Sequence, residues 1–375
     1  MIWATPLPRR RRWPLLLAIV AIVAAGLWAG GWYVAAGITE RTIAGWQARE
    51  ARAGRVYACA TQTVGGFPFG IAVRCAEAAA ELTANHPPLA VKAKDLVISA
   101  QVWQPTALTS ELVGPVTIAE PGQPASVSAN WRRAQTEVRG LPAAPEHVAI
   151  RIEKPVVRGL PDGKSLFKAA RVELNGRLVS GTVRDRPVIE IELKLAAAAA
   201  RGWHPAAAVP VDADITAVLR GLADFSPKPW PARFRQLQAA GGRIEIKSAR
   251  VRQGETIAVA NGVLGLSPRG RLDGALRLTV ANLEKALPAL GLERLLAPET
   301  ASPQLNRAFG ALDRIMPGLG KVARQNAGPA LVAGINIMGE PAELEGQRAV
   351  TLPLRFSDGA VSLGPVMIGY MPPLY

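Results

Sequence analysis

The chain has 375 residues, 49% of them hydrophobic, and a formal net charge of +15. This length and composition supply enough apolar surface for one large domain or two ordinary ones, and they exclude an intrinsically disordered protein. The positive charge does not indicate nucleic-acid binding, because outside Arg9 to Arg12 the Lys and Arg residues are scattered along the chain and mostly alternate with apolar residues.

A basic segment, 1–12, precedes an uncharged run at 13–39. About 20 helical residues cross the hydrocarbon core of a membrane, so this run is long enough to form a transmembrane helix. Basic residues stay on the cytoplasmic side, which predicts a single-pass inner-membrane protein with a cytoplasmic N-terminus. The alternative is a signal peptide cleaved near Ala24 to Gly26. The length of the run favours a retained anchor, and both interpretations export the rest of the chain.

Aromatic residues at the two ends of this run are placed to anchor it at the membrane interfaces. They are Trp13, Trp28, Trp32 and Tyr33. The polar segment 40–55 is compatible with a helix and predicts a helical stalk that continues the anchor. The remainder, 56–375, is then expected to be a periplasmic domain.

The chain has only two cysteines, Cys59 and Cys75. In an oxidising compartment, two cysteines at this spacing favour a disulfide over a redox or metal pair. A closed loop of this size contributes about 3 kcal/mol in the chain-entropy model. The three histidines lie far apart at His86, His147 and His204, so the sequence predicts no metal site.

A turn motif lies between the cysteines and consists of Gly65, Gly66, Phe67, Pro68, Phe69 and Gly70. From Phe67 to Cys75 every second residue is apolar, which predicts a strand whose partner is 56–64. A tight Gly65-Gly66 turn would place Cys59 opposite Ala72, whereas a longer loop centred on Phe67 would place Cys59 opposite Cys75. Because Pro68 cannot donate a ladder hydrogen bond, it favours the longer loop. Phe67 and Phe69 are then expected to fold back onto the core.

The same alternation of apolar and polar residues recurs in five later segments. They are HVAIRIE at 147–153, VIEIELKL at 188–195, GRIEIK at 242–247, RLDGALRLTV at 271–280 and TLPLRF at 351–356. Strands with one charged and one apolar face are typical of an antiparallel sheet with one solvated side. The turn motifs PDGK at 161–164, SPRG at 267–270 and SDG at 357–359 predict a meander of hairpins.

Two segments have helical features. The stretch 226–242 carries prolines at its beginning and glycines at its end, which predicts a short helix with Phe234 and Leu237 facing inward. An apolar stripe at helical spacing predicts a helical insert at about 282–324. The expected fold class is therefore α+β, with an N-terminal transmembrane helix followed by a large, mainly antiparallel, curved β-sheet domain and a few packed helices.

Catalytic motifs are absent from the sequence. It contains no G-x-S-x-G elbow, no Walker A loop and no H-E-x-x-H motif. Neighbouring carboxylates such as Glu190 and Glu192 share one face of strand-like sequence, a pattern typical of solvated surface. We therefore expect no enzymatic activity, no catalytic residue and no cofactor.

Four segments together resemble one family. They are GGFPFG at 65–70, AAGGRIEI at 239–246, GVLGLSPRGRLDGALRL at 262–278 and LPLRFSDGAVSLGPVMIGYMPPLY at 352–375. With the anchor and the cysteine pair, they resemble the alphaproteobacterial family called domain of unknown function 2125, over nearly the whole exported body. In that family the turn usually ends in arginine, where this chain has Gly70. The resemblance implies an envelope protein and no established activity.

The chain also resembles, more distantly, the AsmA-like envelope proteins, which implies lipid held on the apolar side of a curved sheet. A continuous apolar face must be covered by helices, by a second sheet or by acyl chains. We therefore expect an apolar ligand, such as lipid, on a face that includes Phe69, Ile191 and Leu276, with a basic surface that favours anionic head groups. The alternative is a structural or interaction protein of the envelope that binds other envelope proteins and has no ligand cavity.

Overall fold

A computed structural model of the chain describes residues 13–85, 87–142, 144–201, 205–226, 228–282, 339–364 and 366–375. A long N-terminal helix precedes a large sheet, and a short second helix lies between two of its strands. The predicted α+β fold class is thus confirmed. The predicted basic segment and, apart from Asn282, the predicted helical insert lie outside the described residues.

Helix α1, Trp13–Arg52, is continuous over 40 residues. It is the one helix in the described part of the chain that is long and apolar enough to cross a membrane. The helix continues without a break through most of the predicted stalk. Arg49 and Arg52 lie in its last turn, where positive side chains interact favourably with the helix dipole. Gly54, with a φ of 75°, then turns the chain into the sheet.

Twenty-one strands lie in the described residues. In chain order they are β1 Arg55–Ala58, β2 Thr61–Gly65, β3 Gly70–Ala76, β4 Ala79–Leu82, β5 Leu89–Gln101, β6 Gln104–Ala119, β7 Val127–Asn130, β8 Arg133–Arg139, β9 His147–Glu153, β10 Val156–Gly159, β11 Ser165–Lys168, β12 Arg171–Thr182, β13 Asp185–Ala200, β14 Val211–Arg220, β15 Arg243–Gln253, β16 Thr256–Leu266, β17 Leu272–Ala281, β18 Glu340–Leu344, β19 Gln347–Ser357, β20 Ala360–Leu363 and β21 Val366–Tyr370. The five predicted strands correspond to β9, β13, β15, β17 and β19 and are confirmed. The three predicted turn motifs lie between paired strands, as expected.

All strand pairs in the described residues are antiparallel. One continuous ladder runs through β2, β3, β5, β6, β8, β9, β12, β13, β14, β15, β16, β17, β19, β20 and β21. Short strands extend it locally: β1 and β4 beside β5, β7, β10 and β11 between β6 and β13, and β18 beside β19. Most neighbouring strands are also neighbours in sequence, which makes the fold a meander.

Bulges bend the long strands. The register shifts within the pairs β12–β13, β13–β14, β14–β15 and β15–β16, and such bulges increase the local twist of a sheet. Gly262 of β16 has a φ of 147°, and a Cβ atom there would collide with the backbone oxygen of Ala275 on β17. The close approach of these two strands therefore requires glycine.

The first hairpin differs from both predicted registers. Gly66, with a φ of 102°, begins a loop that closes with a hydrogen bond from the Gly70 nitrogen to the Gly66 oxygen at 3.0 Å. This longer loop pairs Gln62, not Cys59, with Cys75. The predicted single partner strand was also wrong, because the chain divides there into β1 and β2, which pair with different strands.

Helix α2, Trp230–Ala239, confirms the predicted short helix. Proline lies in its first turn, and Gly241 follows its end with a φ of 60°. Leu237 is 4% exposed and Phe234 is half-buried, so both face inward as predicted. The position of α2 between β14 and β15 places its first turn beside one of the cavities described below.

Candidate functional site

An uninterrupted apolar row crosses the main sheet. Directly opposed residues of antiparallel strands have their side chains on the same side of a sheet, so the strand register identifies each face. From β3 to β20 one row contains only apolar residues and glycine: Ile71, Ala100, Leu108, Val138, Val148, Gly176, Ile191, Ala217, Ile246, Gly262, Leu276, Leu354 and Leu363. We call this side the apolar face. At about 4.8 Å per strand, the row is roughly 60 Å long.

The opposite side of the sheet is charged, and we call it the charged face. One of its rows consists of Glu111, Gln135, Arg151, Glu173, Lys194, Asp214 and Arg250. The sign of charge alternates from Arg151 to Arg250, and opposite charges on neighbouring strands attract. Lys194 Nζ lies 3.7 Å from the carboxylate of Asp214. From β6 to β15 the sheet therefore has a charged side opposite its apolar side, as the alternating sequence predicted. Further along, the charged side carries a small buried cluster formed by Ile257, Ala281 and Ala349.

The apolar face is not packed as a closed core along its whole length. Near β17 to β20, Leu276 and Leu363 are buried, each with 8% exposure. From β9 to β15, however, Val148, Ile191 and Ile246 are only half-buried. Side chains in a protein core are normally in contact on all sides. The middle of the apolar face therefore leaves apolar surface accessible.

A first cavity of about 410 Å³ lies between α1 and the apolar face. Ile43 and Trp46 of α1 form one wall, and Trp46 stacks on Tyr57 with ring centroids 4.8 Å apart. The facing residues of β3, β5 and β6 are apolar: Val73, Cys75, Leu96, Ile98 and Leu112. Its described lining contains no charged residue. Both the volume and the apolar character are typical of ligand pockets.

A second cavity of about 370 Å³ lies further along the same face. The sheet contributes apolar residues of β9, β12 and β13: Val148, Leu174, Leu178, Ile189 and Ile191. Phe225, on the segment leading into α2, and Trp230, the first residue of α2, also line it. Because Val148 and Ile191 belong to the apolar row, the two cavities lie on the same side of the sheet.

The segment that carries Phe225 is fixed by polar contacts. The Phe225 nitrogen donates to the Val183 oxygen at 2.7 Å, and the Arg233 guanidinium lies over the Phe225 ring at 5.4 Å from its centroid. Lys228 Nζ donates to Asp224 at 2.5 Å. This bond, followed by those from Ser226, holds the pKa of Asp224 well below its usual range. These contacts hold the Phe225 ring beside the second cavity.

Two of the three residues predicted for the ligand face lie in the apolar row. Ile191 lines the second cavity, and Leu276 occupies the same cross-strand row four strands away. Phe69 does not lie over the sheet, because the loop that contains it extends past the end of the strands and leaves it 64% exposed. Phe67 is 53% exposed, so the expectation that both rings fold back onto the core is wrong.

Cys59 and Cys75 form the predicted disulfide, with their Cα atoms 5.3 Å apart. Cys59 reaches Cys75 from the break between β1 and β2, and both residues line the first cavity. In the turn motif, Gly70 has no room for a side chain, since a Cβ atom there would lie 2.6 Å from the Ala100 backbone oxygen. The close approach of β3 to β5 therefore requires glycine at this position of the chain.

Ser267 is the most buried polar side chain in the described residues, but its contacts are structural. Its hydroxyl donates to Asp358 at 2.6 Å and accepts from the backbone nitrogens of Arg269 and Arg271 at 3.3 Å. These bonds join the SPRG turn to the SDG turn. A nucleophilic serine needs a general base as its partner. Among the described residues, no group of three His, Cys, Asp or Glu side chains could hold a metal ion.

One protein family matches the chain over most of its length. A family model described as "Uncharacterized protein conserved in bacteria (DUF2125)" matches residues 32–372. The chain belongs to the DUF2125 family. No curated protein and no solved structure matches it. The segments 65–70, 239–246 and 262–278 and most of 352–375, which suggested this family, fall within the match.

Several residues that shape the site of this DUF2125 protein were not predicted from sequence. Ile43 and Trp46 belong to the predicted stalk, and Trp230 begins the predicted short helix. Each is a large apolar residue in an otherwise polar or proline-rich segment, which was the available signal. Which part of the sheet they would face depends on tertiary packing and could not be read from periodicity.

Proposed function

We propose that this protein is a membrane-anchored envelope protein that binds the acyl chains of lipids along its apolar face. In this proposal α1 crosses the inner membrane with its N-terminus in the cytoplasm, and the sheet lies in the periplasm. The basic N-terminal segment favours that orientation. The disulfide is consistent with an oxidising compartment.

The observation that carries the proposal is the uncharged row across thirteen strands, with two apolar cavities on the same side. Most of this row is half-buried rather than closed in a core, and contiguous accessible apolar surface marks a binding surface. A row roughly 60 Å long also exceeds the hydrocarbon thickness of a membrane, about 30 Å, so it could accommodate more than one acyl chain. Acyl chains suit the site because its walls offer dispersion contacts and few polar partners.

Lipid extraction from the detergent-purified full chain, followed by mass spectrometry, tests the proposal. Ile98→Lys places a charge on the wall of the first cavity, and Ile191→Lys does so in the second. Burial of an unpaired charge beside an acyl chain is costly, so each variant is expected to retain less phospholipid than the wild type. Ala93→Phe fills part of the first cavity without adding charge, and we expect it to retain less phospholipid than the wild type as well.

The matched controls are neighbouring residues on the charged face. Val97→Lys and Glu192→Lys change the adjacent residues of β5 and β13, whose side chains point to the opposite side of the sheet. Both should retain wild-type lipid. Two results would contradict lipid binding: phospholipid at background level in the wild type, or the same loss of phospholipid in each cavity variant and its matched control. Either result would favour the alternative, an interaction protein of the envelope.

A further inference from the structure

The end of the β2–β3 hairpin lies against the membrane-spanning part of α1. The indole nitrogen of Trp32 donates to the Gly70 oxygen at 2.7 Å, and that of Trp28 donates to the Pro68 oxygen at 3.0 Å. Trp32 also contacts the Phe67 ring edge-to-face, with centroids 5.6 Å apart. Trp28 lies one helical turn before Trp32, so the hairpin extends along α1 toward its N-terminus.

The turn between β5 and β6 lies beside this hairpin. The Val102 nitrogen donates to the Phe69 oxygen at 3.0 Å, and the Phe69 and Trp103 rings lie 6.2 Å apart. The two turns therefore form one surface next to α1, which we call the hairpin tips. The hairpin tips consist of Phe67, Phe69, Val102 and Trp103.

The composition and exposure of the hairpin tips are unusual for a surface in water. Their four side chains are 53%, 64%, 47% and 62% exposed in chain order. The flanking sequence contains no charged residue over 56–73 or over 96–110, although 19% of the chain is charged. Exposed aromatic clusters of this kind are typical of membrane interfaces, where the rings contact the acyl boundary.

The position of the tips along α1 sets their depth. A span of about 20 residues that begins at Trp13 ends near Trp32. Trp28, Trp32 and Tyr33 then lie at the membrane interface, which is where the hydrogen bonds from Trp28 and Trp32 hold the β2–β3 hairpin. Ile43, on the wall of the first cavity, is about 16 Å further along α1 at 1.5 Å per residue.

We infer that the hairpin tips insert into the lipid interface at the C-terminal end of the membrane span. The partner is the bilayer that α1 itself crosses. This inference rests on the proposed placement of α1 in a membrane. Insertion fixes the sheet upright on the membrane and places the first cavity of the apolar face just above the lipid head groups.

Depth-dependent fluorescence quenching tests this inference on the full chain. An environment-sensitive fluorescent amino acid is incorporated at position 69 or 103, and the protein is reconstituted in phosphatidylglycerol–phosphatidylcholine nanodiscs with nitroxide-labelled acyl chains. Position 33 is the positive control. Position 56 is the negative control, because Val56 is 43% exposed but follows the C-terminal end of α1. We expect quenching at positions 69 and 103 to match position 33 and to exceed position 56 several-fold.

The same measurement in the Ile98→Lys background separates this inference from lipid binding by the cavities. Membrane insertion of the tips predicts undiminished quenching at position 103 in that variant, whether or not extracted lipid is lost. Quenching at positions 69 and 103 no greater than at position 56 would overturn the inference. Quenching that disappears with Ile98→Lys would also overturn it, since the quencher would then be a lipid in the cavity.

Discussion

Glu190 lies near the centre of the charged face and accepts two strong hydrogen bonds. Arg177 Nη2 donates to it at 2.6 Å and Lys247 Nζ at 2.8 Å. The bond from Lys247, followed by that from Arg177, lowers the pKa of Glu190 from 4.5 to about 2. A carboxylate with a lower pKa in the folded chain than in the unfolded chain stabilises the fold above its unfolded pKa. That contribution is lost as the pH falls from about 4.5 through about 2.

Glu190→Gln should therefore change the acid stability of the protein. We expect the free energy of unfolding to be lower in the variant than in the wild type above about pH 4.5, with the difference shrinking toward pH 2. Urea unfolding of both proteins in detergent at a series of pH values measures this difference in the free energy of unfolding. Glu192→Gln is the control for loss of a carboxylate from the same face of β13. A difference that grows as the pH falls would contradict this assignment.

At the scale of elements, the disulfide connects two parts of the N-terminal sheet. Cys59 lies between β1, which pairs with β4, and β2, which pairs with β3. The bond closes a loop across a sequence separation of 16. It therefore restrains the unfolded chain between β1 and β2, which pair with different strands. Both cysteines also line the first cavity.

Replacement of both cysteines by serine should lower the free energy of unfolding by about 3 kcal/mol. Denaturant unfolding of the double variant beside the wild type measures the change, with Ala60→Ser as a control for an added hydroxyl in the same segment. Treatment of the wild type with a reductant should produce a similar loss. Equal midpoints for oxidised wild type and double variant would show that the bond does not stabilise the fold.

Individual strands were predictable because burial on one face imposes a period of two on the sequence. HVAIRIE corresponds to β9 residue for residue, and RLDGALRLTV corresponds to β17 within one residue at either end. The register of the first hairpin was not predictable, because it depends on how Gly66 and Gly70 close the loop. Likewise, periodicity could not show that Phe67 contacts Trp32 of α1, since that contact joins elements distant in sequence.

At the scale of the whole molecule, the sheet separates two environments. Its charged face is stabilised by cross-strand ion pairs, while the middle of its apolar face is only half-buried and carries two cavities. An apolar face that stays partly open is costly in water unless something covers it. In the proposed function, the acyl chains of lipids are that covering.

The most direct measurement is photo-crosslinking at positions 191 and 192 in living cells. A photoreactive amino acid at position 191 faces the second cavity, and one at position 192 faces the charged side of the same strand. After irradiation, the full chain is purified and its mass measured. Lipid binding along the apolar face predicts a phospholipid adduct at position 191 and none at position 192. The absence of a phospholipid adduct at position 191, or equal adducts at both positions, would contradict it.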